Sequence, residues 1–440
     1  MSNTSSGQFL AELITERLIK SQAAQSSILE DLARDALNNA IDLGMPDNQL
    51  EEWKYVDLPE LYRLDLKPLE KLDFNDHGIQ LMQKESELYQ FVPAQINLIN
   101  GQIVPGLSKV SDHLGIHHHS LTEVYQAKTA FFESHFNRLA EKSAFNLLNT
   151  GFCEGGLVLD LPPHHDPKEI LLIQNYSIPD SASSSLLSPR LLLRLGANAH
   201  LKLVLVLNGE ECPRTYLNNL LGEIYLSPNS SLELTLIQNE ASRAYHLSEF
   251  SFALEEEANL KINHFCLGGA FSKSKIMVDL RGKHAQAELN GLYALGGSAH
   301  SHNQIAVNHI APHTLSKQFY KGVLSGTARG EFTGTINVAK EALKTDASQL
   351  NQNLLLSEKA HIDTRPQLQI SADDVKCGHG ASIGQLAEEQ IFYFQTRGLS
   401  RADAQKILTF GFAEEIIEKV HPPELIAKLN NFVMNNLGLS

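Results

Sequence analysis

A thiol and an imidazole lie two residues apart near the end of this 440-residue chain, in the run Asp373-Asp374-Val375-Lys376-Cys377-Gly378-His379-Gly380. Alternating apolar and polar residues around the run predict an extended strand, in which residues i and i+2 face the same side. Cys377 and His379 would then share one face. A sulfur and an imidazole nitrogen together suit a soft metal such as iron or zinc. From spacing alone, a buried cysteine and an ordinary histidine are the preferred interpretation.

A second group of histidines precedes this run: His300, His302, His309 and His313. His300 and His302 also have i,i+2 spacing and could bind zinc. No nearby carboxylate or cysteine in the sequence completes a ligand set, so outward-facing polar residues are the preferred interpretation. The runs His117-His118-His119 and His164-His165 are interpreted as polar loop segments, with weaker claims on a metal.

The glycine-rich stretches do not have the spacing of a phosphate-binding loop. Leu267-Gly268-Gly269-Ala270 and Leu295-Gly296-Gly297-Ser298 lack the G-x-x-x-x-G-K-[ST] pattern. Neither stretch fits the strand–loop–helix unit that binds dinucleotides. They are interpreted as turns. No Ser-His-Asp or G-x-S-x-G signature appears either. The sequence therefore predicts that the chain binds no nucleotide on its own.

Composition narrows the classes of partner. The formal net charge is −15, from 36 basic and 51 acidic residues, and a charge of this sign disfavours nucleic acid and anionic membranes. No run approaches the roughly 20 apolar residues that span a bilayer, and the polar N-terminus is unlike a secretory signal. The cysteines are dispersed without C-x-x-C spacing, which favours reduced thiols in the cytoplasm. Cysteines this far apart in the sequence do not make a conventional local four-cysteine site for a metal cluster. Any metal cluster bound by this chain would therefore need ligands from a partner chain.

Hydrophobic periodicity divides the chain into three parts. Residues 1–150 are mostly helical, with helical spacing of apolar residues from Gln8 to Leu43 and from Ser120 to Leu148. Between residues 151 and 384, a turn-then-strand phrase recurs at intervals of roughly 25–30 residues. Residues 385–440 are helical again. Because repeats of this kind bury a continuous core by stacking, the predicted fold is mainly β with helical ends: a right-handed parallel β-helix flanked by two helical domains.

Several phrases in the chain are specific enough to indicate a family. They are Ser316-Lys317-Gln318, Tyr320-Lys321-Gly322-Val323-Leu324-Ser325-Gly326, Lys344-Thr345-Asp346-Ala347, Asn353-Leu354-Leu355-Leu356-Ser357, Ile362-Asp363-Thr364-Arg365-Pro366, the Asp-Asp-Val-Lys-Cys run, Glu52-Trp53-Lys54-Tyr55 and Phe145-Asn146-Leu147-Leu148-Asn149. Over most of its length the chain resembles the SufB/SufD family, the scaffold proteins of Suf iron–sulfur cluster assembly. The Trp53 phrase favours the SufD branch. Gly378 and Val56 depart from the residues usual beside these phrases.

The resemblance implies partners and a cargo. It implies a scaffold subunit that is not a free-standing enzyme. Such a subunit would pair with SufB through the open end of the β-helix and bind the SufC ATPase through its C-terminal helices. A transient iron–sulfur cluster would form at the interface with SufB. His379 matches a histidine that helps to hold the nascent cluster there, and Cys377 matches a cysteine whose role is less clear. A homodimer of the isolated chain is an alternative pairing.

The C-terminal segment from Ser400 to Leu437 has more apolar residues than one buried stripe requires. The surplus predicts a second, partner-binding face made of Phe410, Phe412, Ile416, Ile417 and Val420. A polysaccharide-active β-helix enzyme is the competing interpretation of the whole chain. It would need acidic residues along one groove, and the repeats offer only scattered charges.

Overall fold

The computed structural model describes residues 7–15, 17, 28–54, 56, 58–69, 76–111, 114–127, 129–153, 155–180 and 183–439. The helices are α1 (7–15), α2 (Ile28–Leu43), α3 (Leu58–Tyr62), α4 (Asp76–Glu87), α5 (Leu121–Gln126), α6 (Ala130–His135), α7 (Ala144–Phe152), α8 (Glu388–Thr396), α9 (Arg401–Ile417) and α10 (Pro423–Asn436), with short 3-10 turns at Glu51–Trp53 and Pro105–Leu107. No helix within these ranges is long and apolar enough to cross a membrane.

The strands carry most of the fold. In chain order they are β1 (Leu66–Pro68), β2 (Ala94–Ile99), β3 (Gln102–Ile103), β4 (His117–Ser120), β5 (Gly156–Leu161), β6 (Ile170–Ser177), β7 (Ser184–Leu187), β8 (Arg190–Leu195), β9 (His200–Gly209), β10 (Tyr216–Leu226), β11 (Ser231–Asn239), β12 (Ala244–Leu254), β13 (Asn259–Cys266), β14 (Phe271–Leu280), β15 (Gln286–Leu295), β16 (His300–His309), β17 (Leu315–Leu324), β18 (Arg329–Val338), β19 (Asp346–Leu355), β20 (His361–Ile370) and β21 (Lys376–Gly384).

These strands form two long sheets that share one interior. Sheet A runs β20-β18-β16-β14-β12-β10-β8-β5-β4, and sheet B runs β21-β19-β17-β15-β13-β11-β9-β6-β2-β3. From β8 onward, neighbouring strands of each sheet are parallel and in register, each about 30 residues after its neighbour. The chain therefore alternates between the sheets once per turn. The prediction of a parallel β-helix flanked by helices is confirmed.

Alternation of side chains explains why the repeats stack. In β15, Ala287, Leu289, Tyr293 and Leu295 point into the interior and join its continuous apolar cluster. The residues between them face outward, as the two-residue period of a strand requires. Many neighbouring strands are apolar on both faces, which is typical of parallel sheets covered on each side.

The corners of the solenoid use left-handed backbone. One residue per turn has φ between +56° and +62° at the corner leading into sheet B: Asn198, Asn229, Glu257, His284, His313 and Lys344. Asparagine adopts this region readily, whereas other non-glycine residues do so at a cost of about 1–2 kcal/mol. His284 and His313 are thus corner residues with exposed side chains.

The two ends of the chain cover the two outer faces. Buried residues of α9 and α10 pack on the outside of sheet B, and α1, α2, α7 and Trp53 pack outside sheet A. Ser120 and Glu123 form a capping box at the start of α5, and the helical stretch predicted from Ser120 to Leu148 is three short helices. Part of the predicted Gln8–Leu43 helix lies outside the described residues. Strands β2 and β4 come from within the predicted N-terminal domain and join the two sheets.

One buried ion pair anchors the N-terminal region to the solenoid. Arg190 Nη2 donates to Glu223 Oε2 at 2.7 Å, and both side chains are fully buried. The same carboxylate accepts the backbone N–H groups of residues 137–139 at 2.7–2.8 Å. Arg190 Nη1 also donates to Asn149 Oδ1 at 3.0 Å. The charge is compensated because several donors converge on one carboxylate.

We therefore expect Glu223→Ala to lower the free energy of unfolding by about 3–5 kcal/mol, because it leaves the Arg190 guanidinium buried without its carboxylate. Urea denaturation measures the change. Arg401→Ala, which removes an exposed pair with Glu388, is the control and should leave the urea midpoint unchanged. Equal midpoints for the two variants would refute the anchoring role.

Candidate functional site

Cys377 and His379 lie on β21, at the last strand of sheet B. Parallel pairing with β19 places Cys377 opposite Ala347 and His379 opposite Gln349. Gln349 in turn continues a column through Gln318 to Leu289, which is part of the interior cluster. Both residues therefore share the face that points toward the interior of the solenoid, as their spacing predicts.

The solenoid is open at this end. Ile370 and Ile383 continue inward-facing columns from Val338 and Asn353, yet they are 42% and 50% exposed. The described part of the chain places no further strand beyond β20 and β21. His379 is also exposed, and Cys377 is partly buried against Ala347 and Ala372. A group bound at these two residues would thus be accessible from outside the chain.

The chemistry of the pair is incomplete within this chain. Burial, with a smaller contribution from the Asp346 carboxylate, raises the pKa of the Cys377 thiol, so the thiol form is favoured until a cation displaces its proton. No group of three or more His, Cys, Asp or Glu side chains within the described residues is arranged to hold a metal ion. Further ligands would have to come from outside the described residues.

The interior becomes polar beneath this end. Tyr293 Oη bonds Asn353 Oδ1, Asn351 Nδ2 donates to Tyr293 Oη at 3.1 Å, and Thr364 donates to Asn351 Oδ1 at 2.8 Å. Gln349, directly beside His379 in the ladder, is buried with no hydrogen-bond partner for its side-chain amide among the described residues. The last turns thus lack the apolar filling of the earlier ones.

The predicted partner-binding face on the C-terminal helices requires correction. Ile416, Ile417 and Val420 are at most 1% exposed because they pack on the outer face of sheet B. Phe410 and Phe412 are partly buried, and Lys321 of β17 reaches across to the Glu415 carboxylate at 2.6 Å. The surplus apolar residues of α9 therefore hold the helix to the solenoid.

Different residues form the exposed apolar surface of this region. Phe392 and Tyr393 on α8 and Ile407 on α9 are 66%, 55% and 43% exposed. Helices α8 and α9 contact each other, and Arg401 of α9 pairs with Glu388 of α8. The sequence of α8 and α9 has low helical amphipathicity, which indicates apolar residues on more than one side. Such a pattern does not show which side is covered by the solenoid and which is exposed.

The Trp53 phrase is a contact with sheet A. The Trp53 ring is buried, with Lys273 Nζ 4.7 Å from its centroid. Beside it, Lys275 Nζ lies 3.4 Å from a Glu52 carboxylate oxygen, and Glu51 pairs with Arg365 of β20. Trp53 and its neighbours Glu51 and Glu52 therefore tie the N-terminal region to two strands of sheet A, β14 and β20. Tyr55 lies outside the described residues.

The histidine group divides into three environments, of which the exposed corner of His313 is one. His309 is buried and bonded to Thr314 Oγ1 at 2.7 Å and Ser316 Oγ at 2.8 Å. His300 and His302 lie on the outer face of sheet A, with their Nε2 atoms 2.8 Å apart. A carboxylate distant in the sequence does accompany this pair, because Glu331 of β18 bonds His302 Nδ1. Burial lowers the pKa of His300 to about 3 and outweighs Glu331 in lowering that of His302.

Two family models together cover most of the chain. Residues 178–412 match the SufBD core domain of SUF system FeS cluster assembly, and residues 4–171 match the SufBD protein N-terminal region. The chain belongs to the SufB/SufD family.

Relatives within the SufB/SufD family are spread over several bacteria. An iron–sulfur cluster assembly SufBD family protein of Synechocystis is 29% identical over 93% of this chain and 91% of its own length. The iron–sulfur cluster assembly protein SufD of Escherichia coli is 35% identical over 44% of this chain and 46% of its own. A SufBD family protein of Mycobacterium tuberculosis is 30% identical over 51% of this chain and 58% of its own.

The buried lysine beneath Trp53 yields a pH prediction. Burial lowers the pKa of Lys273 to about 8. At pH values between this pKa and the ordinary lysine pKa of the unfolded chain, the unfolded chain binds more protons than the folded chain. The free energy of unfolding therefore rises with pH over this interval. Because Trp53 is the sole tryptophan, its fluorescence should titrate with a midpoint near pH 8.

Lys273→Met should abolish both the fluorescence transition and the rise in stability above pH 8, whereas Lys359→Met, at an exposed lysine, should retain them. A transition that survives in Lys273→Met would assign it to another group.

Proposed function

We propose that this chain is a scaffold subunit that helps to build iron–sulfur clusters and is not a free-standing enzyme. Membership in a family of cluster-assembly proteins supports the class of function. The observation that carries the proposal is the position of Cys377 and His379 on the inward face of the last, open turn. The same membership favours a scaffold over a carbohydrate-active enzyme.

In this proposal the open end pairs with SufB. The exposed edges of β20 and β21 and the exposed Ile370 and Ile383 offer backbone groups and apolar surface to a second chain. An imidazole from His379, with or without the Cys377 thiolate, would share a nascent cluster with thiolate ligands of SufB. The cluster is cargo and leaves the complex. The proposal includes a cytoplasmic location, which the family resemblance implies.

The proposal also assigns a dock for the SufC ATPase to the exposed surface of α8 and α9. Phe392, Tyr393 and Ile407 form this surface, and aromatic side chains are common anchors of interfaces. Lys321 links α9 to β17, two strands from the β21 edge in the same sheet. A movement of the helices upon ATP binding by SufC would therefore be transmitted toward the open end.

His379→Ala should leave the three-protein complex intact but lower its iron and acid-labile sulfide to a small fraction of the wild-type content. The measurement is anaerobic co-purification with SufB and SufC, followed by iron and sulfide analysis. His361→Ala is a matched control, because His361 is an exposed histidine on the neighbouring edge strand β20. Cys377→Ser in the same assay shows whether the thiol contributes. Wild-type iron in the His379→Ala complex would contradict the assignment.

Replacing Phe392 and Ile407 together with serine should weaken SufC binding at least about tenfold, because exposed apolar anchors lose their contacts. Isothermal titration calorimetry with purified SufC measures the affinity. The matched control replaces Ile41 and Leu43, which are similarly exposed on α2. Should the affinity be equal in the two double variants, the dock lies elsewhere.

A further inference from the structure

Two imidazoles face each other on the outer surface of sheet A, two strands from the edge strand β20. His300 and His302 alternate on β16, so both side chains lie on the same face. Their Nε2 atoms are 2.8 Å apart, and their ring centroids are 4.4 Å apart at an angle of 47°. Only one proton fits between two imidazole nitrogens at this separation. The nitrogens therefore converge on one point that a proton or a metal ion can occupy.

A carboxylate fixes the tautomer of one ring. Glu331 lies opposite His302 in the ladder between β16 and β18 and bonds His302 Nδ1. Arg365 of β20 bonds the other oxygen of the same carboxylate and holds it in place. With the Nδ1 proton donated to Glu331, the Nε2 lone pair of His302 points toward His300. A carboxylate behind an imidazole in this way is the usual outer support of a metal-binding histidine.

An aromatic ring closes one side of the histidine pair, and a cavity lies beside it. The Phe271 ring lies 5.7 Å from each imidazole centroid and excludes water on that side. A cavity of about 160 Å³ borders His302 and Glu331, and His300 is only partly buried. Water molecules can therefore reach the rings and complete a coordination sphere.

The local charge is mixed. Lys273 and Arg329 stand beside the two histidines in the ladder and disfavour a cation, whereas Glu331 and Asp363 favour it. The Lys273 ammonium is engaged by Gln304 at 3.1 Å and by the Trp53 ring, so it does not occupy the point between the rings.

We propose that His300 and His302 form a site for one divalent transition-metal ion of the zinc class, with Glu331 as the positioning carboxylate and water as the remaining ligands. Two imidazoles and water suit zinc, cobalt, nickel or copper rather than magnesium or calcium. Tetrahedral zinc at about 2.0–2.1 Å from each nitrogen needs the nitrogens about 3.3 Å apart. The rings would have to open by about half an ångström. This site is separate from Cys377 and His379, which lie on sheet B, and it does not depend on the function proposed above.

Cobalt(II) titration of the metal-free full-length chain tests the proposal. We expect one high-affinity Co²⁺ per chain, displaced by Zn²⁺, with visible d–d bands but no sulfur-to-cobalt charge transfer. His300→Asn and His302→Gln should each weaken binding at least about tenfold, and Glu331→Gln should weaken it about 10- to 100-fold while both ligands remain. Circular dichroism and thermal unfolding of each variant establish that the fold is retained, and His300→Asn, at the more exposed ring, is the variant that least disturbs the core.

Two controls separate this site from other histidines. His284→Ala with His313→Ala removes the corner pair, whose centroids are 5.1 Å apart, and should leave the titration unchanged. Cys377→Ser with His379→Ala should also leave it unchanged. The proposal is overturned if wild type binds no stoichiometric Co²⁺, if His300→Asn binds it as wild type does, or if binding is lost only in the Cys377 and His379 variant.

Discussion

Each turn of the solenoid is held to the turns on either side by the parallel backbone ladder, and a ladder of this kind must end at a strand with one unpaired edge. In this chain that end is formed by β20 and β21. Interior columns that are filled with leucine and valine along most of the core end there in exposed or polar side chains. The position of Cys377 and His379 follows from this constraint, because an inward-facing residue on the last turn is accessible whereas its equivalents on earlier turns are buried.

The helices that pack on the outer faces of the two sheets leave the end formed by β20 and β21 accessible. Helices α9 and α10 pack on the outside of sheet B around β15 and β17, and the N-terminal helices with Trp53 pack on the outside of sheet A. Charged side chains mediate both attachments: Lys321 with Glu415, and Lys275 with Glu52 and Glu141. The lysines are mostly buried but their carboxylate partners are exposed to solvent to a third or more, so the ion pairs orient these contacts while apolar packing supplies most of the attachment.

The strands, the corners and the shared face of Cys377 and His379 could be predicted from the sequence because each depends on residues close together in the chain. The carboxylate beside His302 could not, because Glu331 is 29 residues away and its position depends on the stacking register. The buried side of α9 was misassigned for a related reason. The run Leu203–Leu207 is apolar on both faces and already signals that sheet B is covered from outside, but periodicity alone does not identify α9 as the covering element.

The opposite end of the solenoid limits how such chains can associate. There β3 and β4 run antiparallel to the strands they cap and are two and four residues long, and edges this short are poor templates for further pairing. In the described part of the chain, the two sheets therefore end in long unpaired strand edges at one end only. A unit that offers unpaired edges at one end can add one partner there but presents no second edge from which a filament could extend.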